Sequence, residues 1–169
     1  MSTPEKKFEV YVACALTHAT KEFRDMVERF KKKLGDDGIC VVLCFYGLNK
    51  PGITPNEVYR WDIHQCVYKS HLVVAIVDLP STGLGYEIAT QVEARKMPCL
   101  MLAHNDAKVS DLILDMQQRG CEFKRYNDLM ADGIELVIDK LSRCRKHSWL
   151  KRLGLSLLKR ATSLLHSIG

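Results

Sequence analysis

The stretch Asp78-Leu79-Pro80-Ser81-Thr82-Gly83-Leu84-Gly85-Tyr86-Glu87 gathers two aliphatic hydroxyls, two glycines and two carboxylates within ten residues. It follows the apolar run Leu72-Val73-Val74-Ala75-Ile76-Val77 and leads into a helix-period segment read from about Gly85 to Lys96. A ligand at that junction would lie outside the carboxyl end of a buried strand, where open α/β sheets bind. Gly83 and Gly85 carry no side chain, so a ligand can approach the backbone closely. Amides at the helix start, with the Ser81 and Thr82 hydroxyls, suit a phosphate or another anion. Glu87 then falls in the first helical turn, where the helix dipole favours its ionised form by roughly 0.3–1 kcal/mol. A fixed carboxylate in such a crevice can act as a nucleophile or an electrostatic stabiliser. Taken alone, a GxG turn is often only a tight connection, and a first-turn glutamate often only offsets the dipole. Ile88 stands where the dinucleotide fingerprint needs a third small residue, and GxxxxGK[ST] is absent.

A second carboxylate belongs with Glu87. Thr54-Pro55-Asn56-Glu57 has the pattern of a capping box with proline at the first helical position, and the helix it opens is expected to run to about Ser70. Asp62 lies about two turns into that helix, roughly 10 Å along its axis. The helix runs antiparallel to the strand that follows it, so its first half lies at the same rim as Glu87. Two carboxyl groups on one rim can divide the roles of ionised base and protonated acid. The plain alternative is an exposed aspartate on a helix.

The elements that must position these groups alternate in period. Strand-like runs cover Phe8 to Leu16, Ile39 to Phe45, Leu72 to Val77, Pro98 to Ala103 and, more weakly, Cys121 to Tyr126. Between them Phe23, Met26, Val27, Phe30 and Leu34 mark a helix stopped by Gly35-Asp36-Asp37-Gly38. Val109, Leu112, Ile113 and Met116 mark another, and Leu129 to Arg143 a closing one. Strands apolar on both faces and separated by helices predict an α/β protein. The expected architecture is flavodoxin-like, or Rossmann-like: a doubly wound five-stranded parallel sheet with helices on both faces.

Composition bounds what else the chain can be. Its 169 residues suit one domain, and 47% apolar with 27% charged residues is a globular balance. No apolar run reaches the roughly 18–20 residues of a membrane span. Met1 to Lys7 lacks the apolar core of a signal peptide. Seven scattered cysteines without a CxxC pair argue against a disulfide scaffold and a zinc site, so a reducing cytoplasm is expected. The net charge of +5 is unevenly placed. Residues 143–169 hold seven basic and no acidic side chains, which leaves 18 basic against 20 acidic in the rest. That body does not have the charge of a nucleic-acid binder.

The tail carries Leu150, Leu153, Leu157, Ala161, Leu164 and Ile168 at three- and four-residue steps on a basic background, with Trp149 at its start. The division read here is therefore a domain over 1–145 and a C-terminal amphipathic helix over 146–169. That helix could dock on the body or a dimer mate, lie on a membrane surface, or bind a regulatory partner.

Three segments together resemble one family: Tyr11-Val12-Ala13, Asp62 ahead of Ser70-His71-Leu72-Val73-Val74-Ala75, and Pro80 to Glu87. They resemble the nucleoside 2-deoxyribosyltransferase superfamily, and look closest to its 2′-deoxynucleoside 5′-monophosphate N-glycosidase branch, over residues 8–142. The resemblance implies cleavage or exchange of the N-glycosidic bond of a nucleoside or nucleotide; the serine at position 81 favours hydrolysis of a nucleoside 5′-monophosphate, and no cofactor or metal is expected. It makes Glu87 the group that attacks C1′, Asp62 the group that assists the departing base, and Tyr11 an aromatic at the sugar. Transferases of free nucleosides carry a carboxylate six residues before the glutamate. Ser81 stands there instead, and a hydroxyl can donate to a 5′-phosphate that a carboxylate would repel. Thr82, Gly83, Gly85 and Leu16 complete the expected substrate contacts. Ser110 resembles a serine supplied to the phosphate by a neighbouring subunit, which implies a homodimer. Cys14, Thr17-His18-Ala19 and His71 depart from the family pattern. Two other readings stay open: a deoxyribosyltransferase that exchanges bases, and a nucleotide sensor without turnover.

Overall fold

The computed structural model describes residues 7–43, 52–119 and 121–145. The amphipathic helix expected over 146–169 lies outside the described residues. The chain alternates β1 (Glu9–Cys14), α1 (Lys21–Asp36), β2 (Val41–Leu43), α2 (Pro55–Tyr59), β3 (Leu72–Ile76), α3 (Thr82–Ala89), β4 (Cys99–His104), α4 (Asp111–Asp115) and β5 (Cys121–Tyr126). A closing helix, α5, covers residues 134–145. The strands form one sheet in the order β2-β1-β3-β4-β5, and every pairing is parallel. This is the flavodoxin-like order expected from the alternation. Its switch point falls between β1 and β3, where Cys14 pairs with Ile76 at the carboxyl ends.

Side-chain alternation along β1 divides the core. Val10 and Val12 pack with Phe30 and Leu34 of α1 and with Val137 and Leu141 of α5. Tyr11 and Ala13 face the other layer, with Ile63, Val67, Leu84 and Ile88. All five residues of β3 are inaccessible to solvent, as a central strand covered on both faces requires. The described part of the second strand is shorter than the apolar run Ile39 to Phe45, because Ile39 and Cys40 still belong to the turn after α1.

Helix starts follow side-chain chemistry. Thr20 accepts from the Phe23 amide at 3.2 Å and caps α1. Thr54 and Glu57 form the expected reciprocal box, at 3.3 and 2.8 Å, with Pro55 in the first turn of α2. The fourth helix departs from its pattern. Val109, Ile113 and Met116 pack against the core, but Leu112 is 76% exposed, since α4 is only one turn before it tightens into a 3₁₀ segment. A single turn cannot bury four apolar positions on one side.

One set of contacts fixes each edge of the sheet, the first at the amino ends of β3 and β4 and the second on the rim where the sequence places its chemistry. α2 and α3 both widen into π-helix, over Arg60–Val67 and Thr90–Ala94. Arg95 ties the two together: its guanidinium donates to the carbonyls of Val67 and Ser70 and to Gln91 Oε1. Asp78, just past β3, accepts from the His104 amide at 2.7 Å and from the Tyr126 hydroxyl, so the carboxyl ends of β3, β4 and β5 are joined. Among the described residues no helix is long and apolar enough to cross a membrane.

Candidate active site

α3 begins at Thr82, earlier than the periodicity suggests, because Ser81 serves as its N-cap. The Ser81 hydroxyl accepts from the Leu84 amide at 3.3 Å. The shift matters for Glu87. It lies in the second turn instead of the first, and the first turn of α3 contains no acidic residue. The expected dipole stabilisation of an ionised Glu87 is therefore corrected: the effect fades beyond the first turn. Burial takes over. Glu87 is 9% exposed, and loss of solvent together with the nearby Asp62 charge pushes its carboxyl up to about 8.

Asp62 sits in the π-helical part of α2, half-buried, and burial raises it to about 6. The Tyr11 hydroxyl donates to its Oδ1 at 3.5 Å, and the same hydroxyl acts to lower the nearby Glu87 carboxyl. β1, α2 and α3 thus each contribute one polar group to a single cluster, on the same rim as expected. The tyrosine itself is 4% exposed, and its phenol is held well above its ordinary value by burial and by the two carboxylates. A group not anticipated joins them. Lys31 of α1 is buried although it is a lysine, it pairs with Glu28 at 2.8 Å, and its charge lowers both Asp62 and Glu87. The signal for it was available, since position 31 falls on the buried stripe of Val27, Phe30 and Leu34.

The remaining expected residues separate into groups. A cleft of about 700 Å³ opens beside the start of α3, lined by Ser81, Thr82, Gly85, Lys108 and Ser110 among others. Ser110 of the same chain reaches this cleft, and its hydroxyl does not cap its own helix. Glu87, Asp62 and Tyr11 do not line the cleft. At 3.6 residues per turn, Gly85 and Glu87 emerge about 200° apart on α3, whereas Leu84, which also lines the cleft, is within about 60° of Glu87. Leu16 is half-buried in the turn after β1, away from the cleft lining. Gly83 is exposed at the start of α3. Lys108, the one lysine on the cleft lining, was also not anticipated.

The two glycines are informative because the fold does not need them. Neither has positive φ. A methyl group at Gly85 would meet nothing within 4 Å, and at Gly83 only the Ser81 hydroxyl at 3.8 Å. Glycine inside a helix costs about 1 kcal/mol relative to alanine, so packing and backbone conformation leave both unexplained. Open space above the backbone is what a ligand would use. Among the described residues no three His, Cys, Asp or Glu side chains converge to hold a metal ion.

Fold and site define an α/β domain with a tyrosine and a carboxyl pair gathered at its topological switch point, equipped for acid–base or nucleophilic chemistry. No family model matches the chain. A protein of Methanosarcina mazei named "Putative 2'-deoxynucleoside 5'-phosphate N-hydrolase 1" is 37% identical over 87 residues, 52% of this chain and 52% of its own length. Its namesake from Methanosarcina barkeri is 34% identical over 76 residues, 45% of this chain and 46% of its own. The chain thus spans about half the length of the curated relatives it matches. A CMP N-glycosidase of Clostridium botulinum shares the fold with a TM-score of 0.55, over 79% of this chain and 98% of its own, at 17% identity. The two curated likenesses agree with the N-hydrolase resemblance of the sequence, and the Clostridium botulinum structure agrees with the fold.

Proposed function

We propose that this protein hydrolyses the N-glycosidic bond of a nucleoside or deoxynucleoside 5′-monophosphate, releasing free base and the sugar 5-phosphate. The observation that carries the reading is the buried Glu87–Tyr11–Asp62 cluster at the switch point. The resemblance to N-hydrolases and the shared fold of a CMP N-glycosidase support a nucleotide as the substrate class. Glu87, ionised, would attack C1′ of the sugar while Asp62, protonated, gives its proton to the departing base. Water then releases the sugar from Glu87. A buried carboxyl pair suits this division, because the first charge formed opposes the second and one proton stays with the pair.

Ser81 supports a phosphate in place of a free 5′-hydroxyl. Its oxygen accepts from the Leu84 amide, which leaves the hydroxyl proton to donate outward. Ser110, in one cleft with Ser81, offers a second hydroxyl from the same chain. Completion of the site by a neighbour's Ser110 remains part of the proposal, as does the homodimer.

The test is incubation with a panel of nucleoside 5′-monophosphates and the matching nucleosides, with free base followed by chromatography. Wild type should release base from at least one monophosphate, and a folded Glu87→Ala variant should release none. One charge-assisted hydrogen bond is worth roughly 1.5–3 kcal/mol, so kcat/KM should favour the monophosphate by about ten- to a hundredfold. Ser81→Asp, which keeps a competent N-cap, should reverse that preference. No base release from any monophosphate refutes the reading. Transfer of the sugar to an added second nucleobase would make the protein a transferase instead.

A further inference from the structure

The cleft beside the start of α3 holds a positive charge that the carboxyl cluster does not use. Among the described residues Lys108 is the only charged side chain on its lining, and the hydroxyls of Ser81, Thr82 and Ser110 stand with it. We propose that Lys108 makes the cleft selective for a phosphorylated sugar, pairing its ammonium with the phosphate dianion between Ser81 and Ser110. The inference rests on the N-glycosidase reading and names the residue that sets its preference for a monophosphate.

The loop that carries Lys108 is fixed on both sides. Before it, the Arg125 guanidinium of β5 donates to the carbonyls of His104 and Ala107, each at 2.8 Å, and to that of Asn105 at 3.4 Å. Arg125 itself lies over the Phe123 ring, 5.2 Å from its centre. After it, Val109 packs on the core, and the Ser110 carbonyl accepts from the amides of Ile113 and Leu114 at 3.0 and 3.1 Å. The opposite wall follows β3, and Asp78 joins the two walls by accepting from the His104 amide at 2.7 Å. The backbone at position 108 is thus placed by contacts in which the lysine side chain takes no part.

That side chain has no competing partner. Lys108 is exposed, and among the described residues it forms no ion pair. Asp106, two residues earlier, faces His104 Nδ1 at 3.7 Å instead. A phosphate monoester carries close to two negative charges at neutral pH, and hydroxyl dipoles alone leave that charge unbalanced. Apolar side chains of Val77, Leu84, Val109 and Ile113 form much of the remaining wall, and a low-dielectric wall strengthens an ion pair beside it. A compact ammonium on a long stem suits a phosphate that the surrounding hydroxyls orient.

The deciding experiment titrates wild type, Lys108→Gln and Lys108→Arg with ribose 5-phosphate and 2-deoxyribose 5-phosphate, each against its unphosphorylated sugar, with binding read from NMR chemical shifts. Wild type should bind at least one sugar phosphate more tightly than the plain sugar. A charge-assisted contact is worth about ten- to a hundredfold in affinity, so Lys108→Gln should weaken the sugar phosphate by that factor. Lys108→Arg keeps the charge and should stay within a few-fold of wild type. Added salt should cost wild type more affinity than Lys108→Gln, because only wild type has the pair to screen. Unchanged melting temperatures check that the exposed position tolerates both substitutions.

In turnover, Lys108→Gln should lower the ratio of kcat/KM for a monophosphate over its nucleoside by about ten- to a hundredfold, chiefly through KM. Equal losses on the two substrates overturn the assignment. So does a wild type that binds neither sugar phosphate better than the plain sugar, a Lys108→Gln variant that binds as tightly as wild type, or a Lys108→Arg variant that loses as much as Lys108→Gln. The titration needs no turnover. A protein that cleaves no nucleotide would end the activity reading, and the titration would still decide the role of Lys108.

Discussion

Glu87 shows how a side chain of ordinary type acquires an unusual state from its surroundings. Removal from solvent and the neighbouring Asp62 raise it from an ordinary 4.5 to about 8. As pH rises, the unfolded chain releases this proton first, while the folded chain keeps it. Stability therefore falls as pH climbs from about 4.5 to about 8, and Asp62, raised from 3.8 to about 6, adds to the same trend. Glu87→Gln removes the larger part of the penalty. The variant should melt above wild type at pH 8.5, with the advantage fading toward pH 4.5. At roughly 1.4 kcal/mol per pH unit the ceiling is about 5 kcal/mol. Thermal melts at three pH values check it. A Glu87→Gln protein no more stable than wild type at pH 8.5 would show that burial does not govern this group.

α3 places several functions on one short element. Its N-cap Ser81 opens it, Gly83 and Gly85 thin its first turn, Leu84 and Ile88 anchor it in the core, and Glu87 is carried into the cluster with Tyr11. The glycines are the only members that weaken the helix. Gly85→Ala should therefore stabilise the fold, by about 0.5–1 kcal/mol, since alanine fits the space and narrows the unfolded ensemble. The same methyl group would stand on the cleft side of α3, so kcat/KM for the substrate should drop even as the melting temperature rises. Differential scanning and steady-state rates on one preparation measure both. A variant that gains stability and retains full activity would return Gly85 to the status of a plain connection.

At the scale of the whole molecule, two carboxyl systems on different parts of the sheet bound stability in pH. Glu122 of β5 receives Lys140 and Arg143 of α5 at 3.0 and 2.9 Å, across the outer edge of the sheet. Burial alone would raise Glu122, but hydrogen bonds from Arg143 and Lys140 outweigh it and hold the carboxyl at about 2. The stabilisation from this network is present above about pH 4.5 and is lost as pH falls toward 2. The Glu87 pair weakens the fold in the opposite direction. The melting temperature should accordingly be highest near pH 5 and decline on both sides, with Glu122→Gln flattening only the acid decline. An acid decline untouched by that substitution would mean that the β5–α5 contact does not depend on this network.

Short-range patterns in the sequence determined much of this protein. The period-2 and period-3.6 runs specify five strands and their helices, and the alternation specifies a parallel sheet, because crossovers of that length leave few other arrangements. The Thr54–Glu57 box was legible for the same reason: its partners are three residues apart and need no tertiary contact. The placement of Asp62 and Glu87 on one rim followed from chain direction alone. Tertiary structure decided everything that depends on what surrounds a side chain. It moved the start of α3 to Thr82, buried Glu87 beyond the reach of the helix dipole, and brought Lys31 from the opposite layer into the field of both carboxyls. It also left Leu112 in solvent and put Ser110 in one cleft with Ser81. Desolvation and charge–charge interaction depend on distances across elements far apart in the chain, and spacing along one element does not encode them.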